Sequence, residues 1–196
     1  DVVLGDAERL WVMQQEEADF VDITVQIPNS IPDPHQMYWG MAIEDLDNDG
    51  RKDLVLPSSW FRDGTETPWP VALYLQTTQG QFEEWGVTLG FPQQTQGRTP
   101  ILWDLNQDGV LDLILGSSDR SPSIYLSKSC TEENWLEVEA PPGTTVTAWA
   151  GQQQWVGLAT TDGSYASTHP SKVHFGLGEV QVIDQIQLDF IGGEQR

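Results

Sequence analysis

The sequence predicts an all-β protein, and three observations carry that prediction. Short apolar runs recur along the whole chain, Gly, Pro, Asn and Asp punctuate the gaps between them, and no spacing of three and four residues lasts beyond about two turns. In chain order the predicted strands are Val2-Leu4, Leu10-Met13, Met41-Leu46, Leu54-Leu56, Val71-Leu75, Ile101-Leu105, Leu113-Leu115 and Ile124-Leu126. The later ones are Leu136-Val138, Val146-Trp149, Trp155-Ala159, Val173-Phe175 and Ile183-Phe190. Each run is too short for a helix and carries the β-branched or aromatic residues that suit a pleated surface.

Composition narrows the classes. The 196 residues carry 30 acidic against 9 basic side chains, a formal charge of −21, which argues against nucleic acid or an anionic membrane as partner. With 38% hydrophobic residues and nine Trp, the chain has the apolar content to fold, which acidic disordered chains lack. No apolar run approaches the roughly 20 residues of a membrane helix, so no insertion is expected. Asp1 opens directly into Val2-Val3-Leu4, so the N-terminus reads as processed or truncated. Cys130 is the single cysteine, either a buried thiol or a partner for a cysteine elsewhere.

A repeat in the first two-thirds carries the chemistry. One copy runs Asp45-Leu-Asp47-Asn-Asp49-Gly50-Arg51-Lys-Asp53, the other Asp104-Leu-Asn106-Gln-Asp108-Gly109-Val110-Leu-Asp112, and an apolar strand follows each. Oxygen side chains at positions 1, 3 and 5, Gly at 6 and Asp at 9 suit calcium, which takes six to eight oxygens at about 2.3–2.6 Å. The carbonyls of Arg51 and Val110 supply a main-chain ligand at position 7, and Asp53 and Asp112 close the sites. Two calcium ions are therefore expected. The plainer alternative is a pair of Asp/Gly turns that bind nothing, and two matched copies weigh against it. An EF-hand is excluded, because position 12 is Leu56 or Leu115 where that motif needs Glu, and the flanks read as strands. Asn106 is neutral and its loop has one carboxylate fewer, so the second site is expected to be the weaker.

Asp1-Val-Val-Leu-Gly5 aligns with the segments starting at Asp53 and Asp112, which places Asp1 at position 9 of a third loop. The intervals, 53 − 1 = 52 and 112 − 53 = 59 residues, each match about one four-stranded propeller blade. These motifs resemble the FG-GAP/VCBS repeats, the calcium-loop blades also found in integrin α-subunits. The resemblance covers roughly residues 1–128 and implies a partial β-propeller of about two to three blades whose loops bind calcium.

From about Asn134 the Asp-Gly loops stop and Thr, Gln and Gly rise. Asn134-Trp-Leu-Glu-Val-Glu139, Gly143-Thr-Thr-Val-Thr-Ala-Trp-Ala-Gly151, His174-Phe-Gly-Leu-Gly178 and Val182-Phe190 follow in an order that resembles the ASPIC/UnbV domain. That domain commonly follows FG-GAP/VCBS repeats, as in cartilage acidic proteins and bacterial secreted proteins. Residues 129–196 are expected to form this small β-sandwich or barrel. Phe190-Ile-Gly-Gly193 stands where the family has a Trp-Pro-Ser-Gly-like turn. His174 reads as a hydrogen-bonded structural histidine, while His35 and His169 have no partner at a ligand spacing.

No phosphate loop, Gly-x-Ser-x-Gly elbow or identifiable Cys-His pair is present, and the carboxylates are absorbed by the loops and an acidic surface. The expected function is a calcium-binding extracellular, cell-surface or periplasmic interaction module without catalytic activity. Its partners would be proteins, or remaining propeller blades that cover open strand edges, with glycan as a further candidate. The competing reading is a calcium-dependent carbohydrate-active enzyme on a propeller scaffold. The Trp residues are expected mainly to pack between blades.

Overall fold

The computed structural model describes residues 2–5, 10–16, 19–22, 36–91, 95–128 and 133–193. Asp1, His35 and Cys130, each singled out above, lie outside the described residues. The described residues form strands, turns and bends with no helix, so the protein is all-β.

Three sheets repeat one antiparallel order. The first joins β1 (Val2–Gly5), β2 (Leu10–Glu16) and β3 (Asp19–Asp22). In the second, β5 (Ala42–Glu44), β6 (Asp53–Leu56), β9 (Ala72–Gln76) and β10 (Phe82–Glu84) lie side by side in chain order. The third has β11 (Gly97–Trp103), β12 (Asp112–Ser117) and β13 (Ser123–Tyr125). Between β6 and β9 the chain makes an excursion through β7 (Ser58–Arg62) and β8 (Thr65–Pro68), which pair with β4 (Gln36–Tyr38) in a separate sheet.

Strand β6 shows why the sheets stack. All four of its residues are buried, with successive side chains on opposite faces. Leu54 and Leu56 join Tyr74 and Phe82 in one core, while Val55 joins Val71, Leu73, Leu113 and Leu115 in the next. The third core belongs to the C-terminal segment, where Val146, Ala159, Val173, Phe175 and Leu177 pack together. There β14 (Asn134–Glu139) pairs with β18 (Thr168–Gly178), which also takes β17 (Thr160–Asp162). The facing sheet is β16 (Gln153–Leu158), β15 (Thr145–Ala150) and β19 (Gln185–Asp189).

The sequence reading passes over β3, β4, β7, β8, β10 and β17. These are short, and segments such as Thr65–Pro68 have no apolar run, so their place depends on ladder pairing with a neighbour. Trp is expected to pack between blades; among the described residues Trp155 packs, part-buried, against the C-terminal core. Among the described residues the buried cores contain no Trp; they are built from Leu, Val, Ala, Phe and Tyr. The Trp rings act as partly exposed covers, with Arg98 over Trp39 at 4.3 Å and Lys172 over Trp103 at 4.4 Å.

Candidate metal loops and the sheet that covers them

The two Asp-rich loops fold alike, bond for bond. In the β5–β6 loop Asp45 accepts the amides of Asp49 at 3.1 Å and Gly50 at 2.8 Å; in the β11–β12 loop Asp104 accepts those of Asp108 and Gly109 at 3.1 and 2.8 Å. Position 3 accepts the amide of position 5, and position 5 that of position 7, in both loops. Position 9 braces the loop base. Asp53 accepts Leu46 N and Gln76 N, while Asp112 accepts Leu105 N and Ser127 N, at 2.8–2.9 Å. Left-handed backbone at position 4 (Asn48 φ 64°, Gln107 φ 60°) and at Gly50 and Gly109 makes the coil tight enough to turn these oxygens inward.

The oxygens of Asp45, Asp47 and Asp49 lie within 4.8 Å of one another. That is the spread available to ligands on a sphere of about 2.4 Å around one ion, and an all-oxygen donor set suits a hard cation. The residues therefore fit calcium. Asp53 stands close enough to Asp45 and Asp47 for their charges to be felt, but both its oxygens already hold amides. Arg51 contributes a side chain the sequence reading did not use: its guanidinium pairs with Asp49 and donates from Nε to the Gln76 carbonyl. Burial pushes the Asp45 carboxyl up to about 6 and that of Asp53 to about 7, only partly offset by their amide bonds. Burial also raises Asp47.

The loops differ in what lies over them. Asp45 and Asn48 are buried, whereas Asn106, Gln107 and Asp108 are exposed. The cover over the first loop is the C-terminal sheet. On β18, Val173, Phe175 and Leu177 enter the core, so alternation sends His174, Gly176 and Gly178 toward the loops. Asn48 is the junction. Its Nδ2 donates to the Gly109 carbonyl at 2.9 Å, its Oδ1 accepts from His174 Nε2 at 2.7 Å, and its carbonyl accepts from Gly178 N at 2.8 Å. One residue of loop one thus holds loop two and β18 together. Trp135 of β14 stacks on His174, and a Cβ on Gly109 would run into its ring.

His174 is buried and hydrogen-bonded, as the sequence reading expects. Asn48, Gly176 and Trp135 went unnoticed in sequence, since nothing local marks them as partners of residues at least 26 positions away. The HFGLG string was the available signal, its small residues on one face and apolar ones on the other. Burial lowers the His174 imidazolium to about 4, against 6.5 for a free imidazole. The unfolded chain then takes up this proton near pH 6.5 and the folded chain only near 4, so the contribution of His174 to stability is complete above 6.5 and is lost as pH falls toward 4. The raised Asp45 and Asp53 have the opposite sign, because the folded state holds their protons more tightly. A difference measurement isolates the histidine. Wild type minus His174→Gln, by chemical denaturation from pH 7 to 4, is expected to fall with acidification by up to about 1.4 kcal/mol per pH unit. A flat difference would refute the burial argument.

Residues 139–196 match the family described as ASPIC and UnbV. The match begins inside the segment expected at 129–196 and includes β15 to β19 with the HFGLG string. No curated protein matches the chain.

Proposed function

We propose that the protein is a calcium-stabilised interaction module without catalytic activity, working outside the cytoplasm as part of a larger propeller or surface assembly. One observation carries the reading: two loops 59 residues apart repeat the same oxygen-presenting geometry, including the left-handed residue at position 4. The ligands are Asp45, Asp47, Asp49, the Arg51 carbonyl and Asp53 for one ion. For the other they are Asp104, Asn106, Asp108, the Val110 carbonyl and Asp112. The three repeated sheets are read as FG-GAP/VCBS-type propeller blades over residues 1–128, with the ASPIC/UnbV-type segment seated on their loops. Millimolar calcium outside the cell fills sites of about 10⁻⁴–10⁻³ M, the usual range of extracellular modules.

The interaction role is supported by an apolar groove between the second and third sheets. Leu75, Phe91 and Leu113 line it with Ile124 and Leu126, which are 62% and 59% exposed. Protein partners or further blades covering this face would bury surface that monomers seldom leave open.

Calcium titration by calorimetry tests the loops individually. The first is expected to bind more tightly, with the order read from Asp47→Asn and Asp108→Asn. Arg51 moderates that advantage. Its positive charge offsets one of the four carboxylates of loop one, and Lys52 beside it, paired with Glu44, is a second nearby cation. Arg51→Gln is therefore expected to strengthen the first site about three- to tenfold while leaving the second unchanged. A weakened or unaltered first site would show that the guanidinium does not compete with the ion.

A further inference from the structure

The turn between β17 and β18 reaches from the C-terminal segment to the second and third sheets. Ser164 Oγ accepts the Met41 amide at 2.7 Å, Thr99 Oγ1 donates to the Tyr165 carbonyl, and Ala166 holds a left-handed φ of 53°. Positive φ is uncommon for alanine, and strain of this kind gathers where a side chain is held for use. The turn presents Tyr165, whose ring is 49% exposed. It meets Trp39 edge-on, with centroids 5.8 Å apart and planes at 62°. Trp39 is clamped in turn. Its Nε1 donates to Ser59 Oγ at 2.9 Å, and the Arg98 guanidinium lies over the ring at 4.3 Å while pairing with Glu66 at 2.6 Å.

Beside the two rings a cleft of about 360 Å³ opens over Met41 and Ile43. It shares Met41, Ile43 and Ser164 with a smaller cavity of about 170 Å³, whose wall includes Glu44, Glu137 and Lys172. The charges there are matched within the protein: Lys52 holds Glu44 at 2.7 Å, and Lys172 holds Glu137 at 2.9 Å. An ionic ligand would have to compete with those pairs, and the overall charge of −21 opposes an anion. Hydroxyl groups need not compete. An ammonium has three donors and a carboxylate about four lone-pair sites, so each pair keeps hydrogen-bonding capacity after its mutual bond.

We infer that this cleft binds a neutral hexose unit of a glycan, its C–H face on Tyr165 and Trp39 and its hydroxyl rim toward Ser164 and the paired charges. A pyranose matches the surroundings on both counts. One side is a plane of C–H groups suited to the electron-rich face of an aromatic ring, and the rim hydroxyls donate and accept at once. The volume lies in the range of about 300–1,000 Å³ usual for small-molecule sites, which favour seams between domains. Both rings are held before the ligand arrives, so little ordering is lost on binding. A proline-rich segment would also lie on two rings but offers no hydroxyls to the paired charges. The cleft contains none of the metal-loop residues, so failure here leaves the calcium reading standing.

The probes are the methyl glycosides of glucose, galactose and mannose in both anomers, titrated into the unaltered full chain in excess calcium and followed by NMR. At least one is expected to saturate with a Kd of about 1–10 mM, moving the Trp39 indole N–H and the Met41 and Ile43 methyl resonances and leaving Trp149 unmoved. Methyl glucuronide, a hexose ring with a carboxylate, is expected to bind at least about tenfold more weakly. Tyr165→Ala should weaken the sugar at least about tenfold and Tyr165→Phe less than about threefold, because the ring makes the stacking contact. No saturation by any glycoside up to about 50 mM, shifts confined to other residues, wild-type affinity in Tyr165→Ala, or tighter binding of a proline decapeptide would overturn the assignment. Weaker binding of the matching trisaccharide would overturn the glycan and leave a free hexose as the ligand. The shift mapping uses unaltered protein, so the test stands whatever the folding of the variants.

Discussion

Addition of about 2 mM calcium to metal-free protein is expected to raise the melting temperature by about 3–14 °C. Two sites of about 10⁻⁴–10⁻³ M, each stabilising by RT ln(1 + [L]/Kd), contribute roughly 0.7–1.8 kcal/mol apiece at this concentration. A chain of this length gains about 2–4 °C per kcal/mol. The physical origin is the cost of the empty loops. Asp45 and Asp53 are carboxylates that burial drives toward their neutral forms, and a cation restores the charged form while joining the strand ends β5–β6. Asp47→Asn is expected to remove the share of the first loop and Asp108→Asn that of the second, followed by differential scanning fluorimetry. A folded, monodisperse protein whose melting temperature ignores both calcium and chelator would sink the calcium reading.

Gly176→Ala is expected to be among the most damaging single substitutions in the described residues. A Cβ there would overlap the Asp45 carboxylate and lie 2.5–2.6 Å from the backbone Cα and C of Asn48. Backbone cannot swing aside as a side-chain tip can, so either β18 lifts from the first loop or the loop is crushed. The cost is about 3 kcal/mol or more, or roughly 6–12 °C in melting temperature. Gly80→Ala serves as the control. Gly80 has φ 73° with nothing within 4 Å, so only left-handed strain of about 1–2 kcal/mol is expected. Calcium affinity should drop at the first loop in Gly176→Ala and hold at the second, which β18 does not touch through Gly176. A loss below about 1 kcal/mol would mean that the C-terminal sheet does not rest on this loop.

Several features were open to reading before any coordinates. Spacing of two between oxygens, with Gly at position 6, is a property of a short stretch of chain, and both loops adopt the geometry it suggests. The strong strands were legible for the same reason: Leu54-Val-Leu56 and Val173-His-Phe175 carry their pairing preference in their own side chains. Strands such as Thr65–Pro68 and Gln36–Tyr38 were not, because a polar strand forms where a neighbour offers free amides and carbonyls. The degree of Trp burial was not legible for a related reason: a large ring is apolar enough to pack anywhere, and only the surrounding surface decides how much of it stays wet.

The sequence by itself determined the all-β class, the two Asp-rich loops and the segment that matches ASPIC and UnbV. Each of these depends on residues within about a dozen positions of one another, where side-chain period and turn chemistry act directly. Tertiary structure alone decided that two nearly identical loops meet different surroundings, one beneath β18 and one with residues 105–108 exposed and its base buried. It also made Asn48 the tie between both loops and the C-terminal sheet. Those relations join residues up to 126 positions apart, and no local pattern encodes which distant surface will close over a loop.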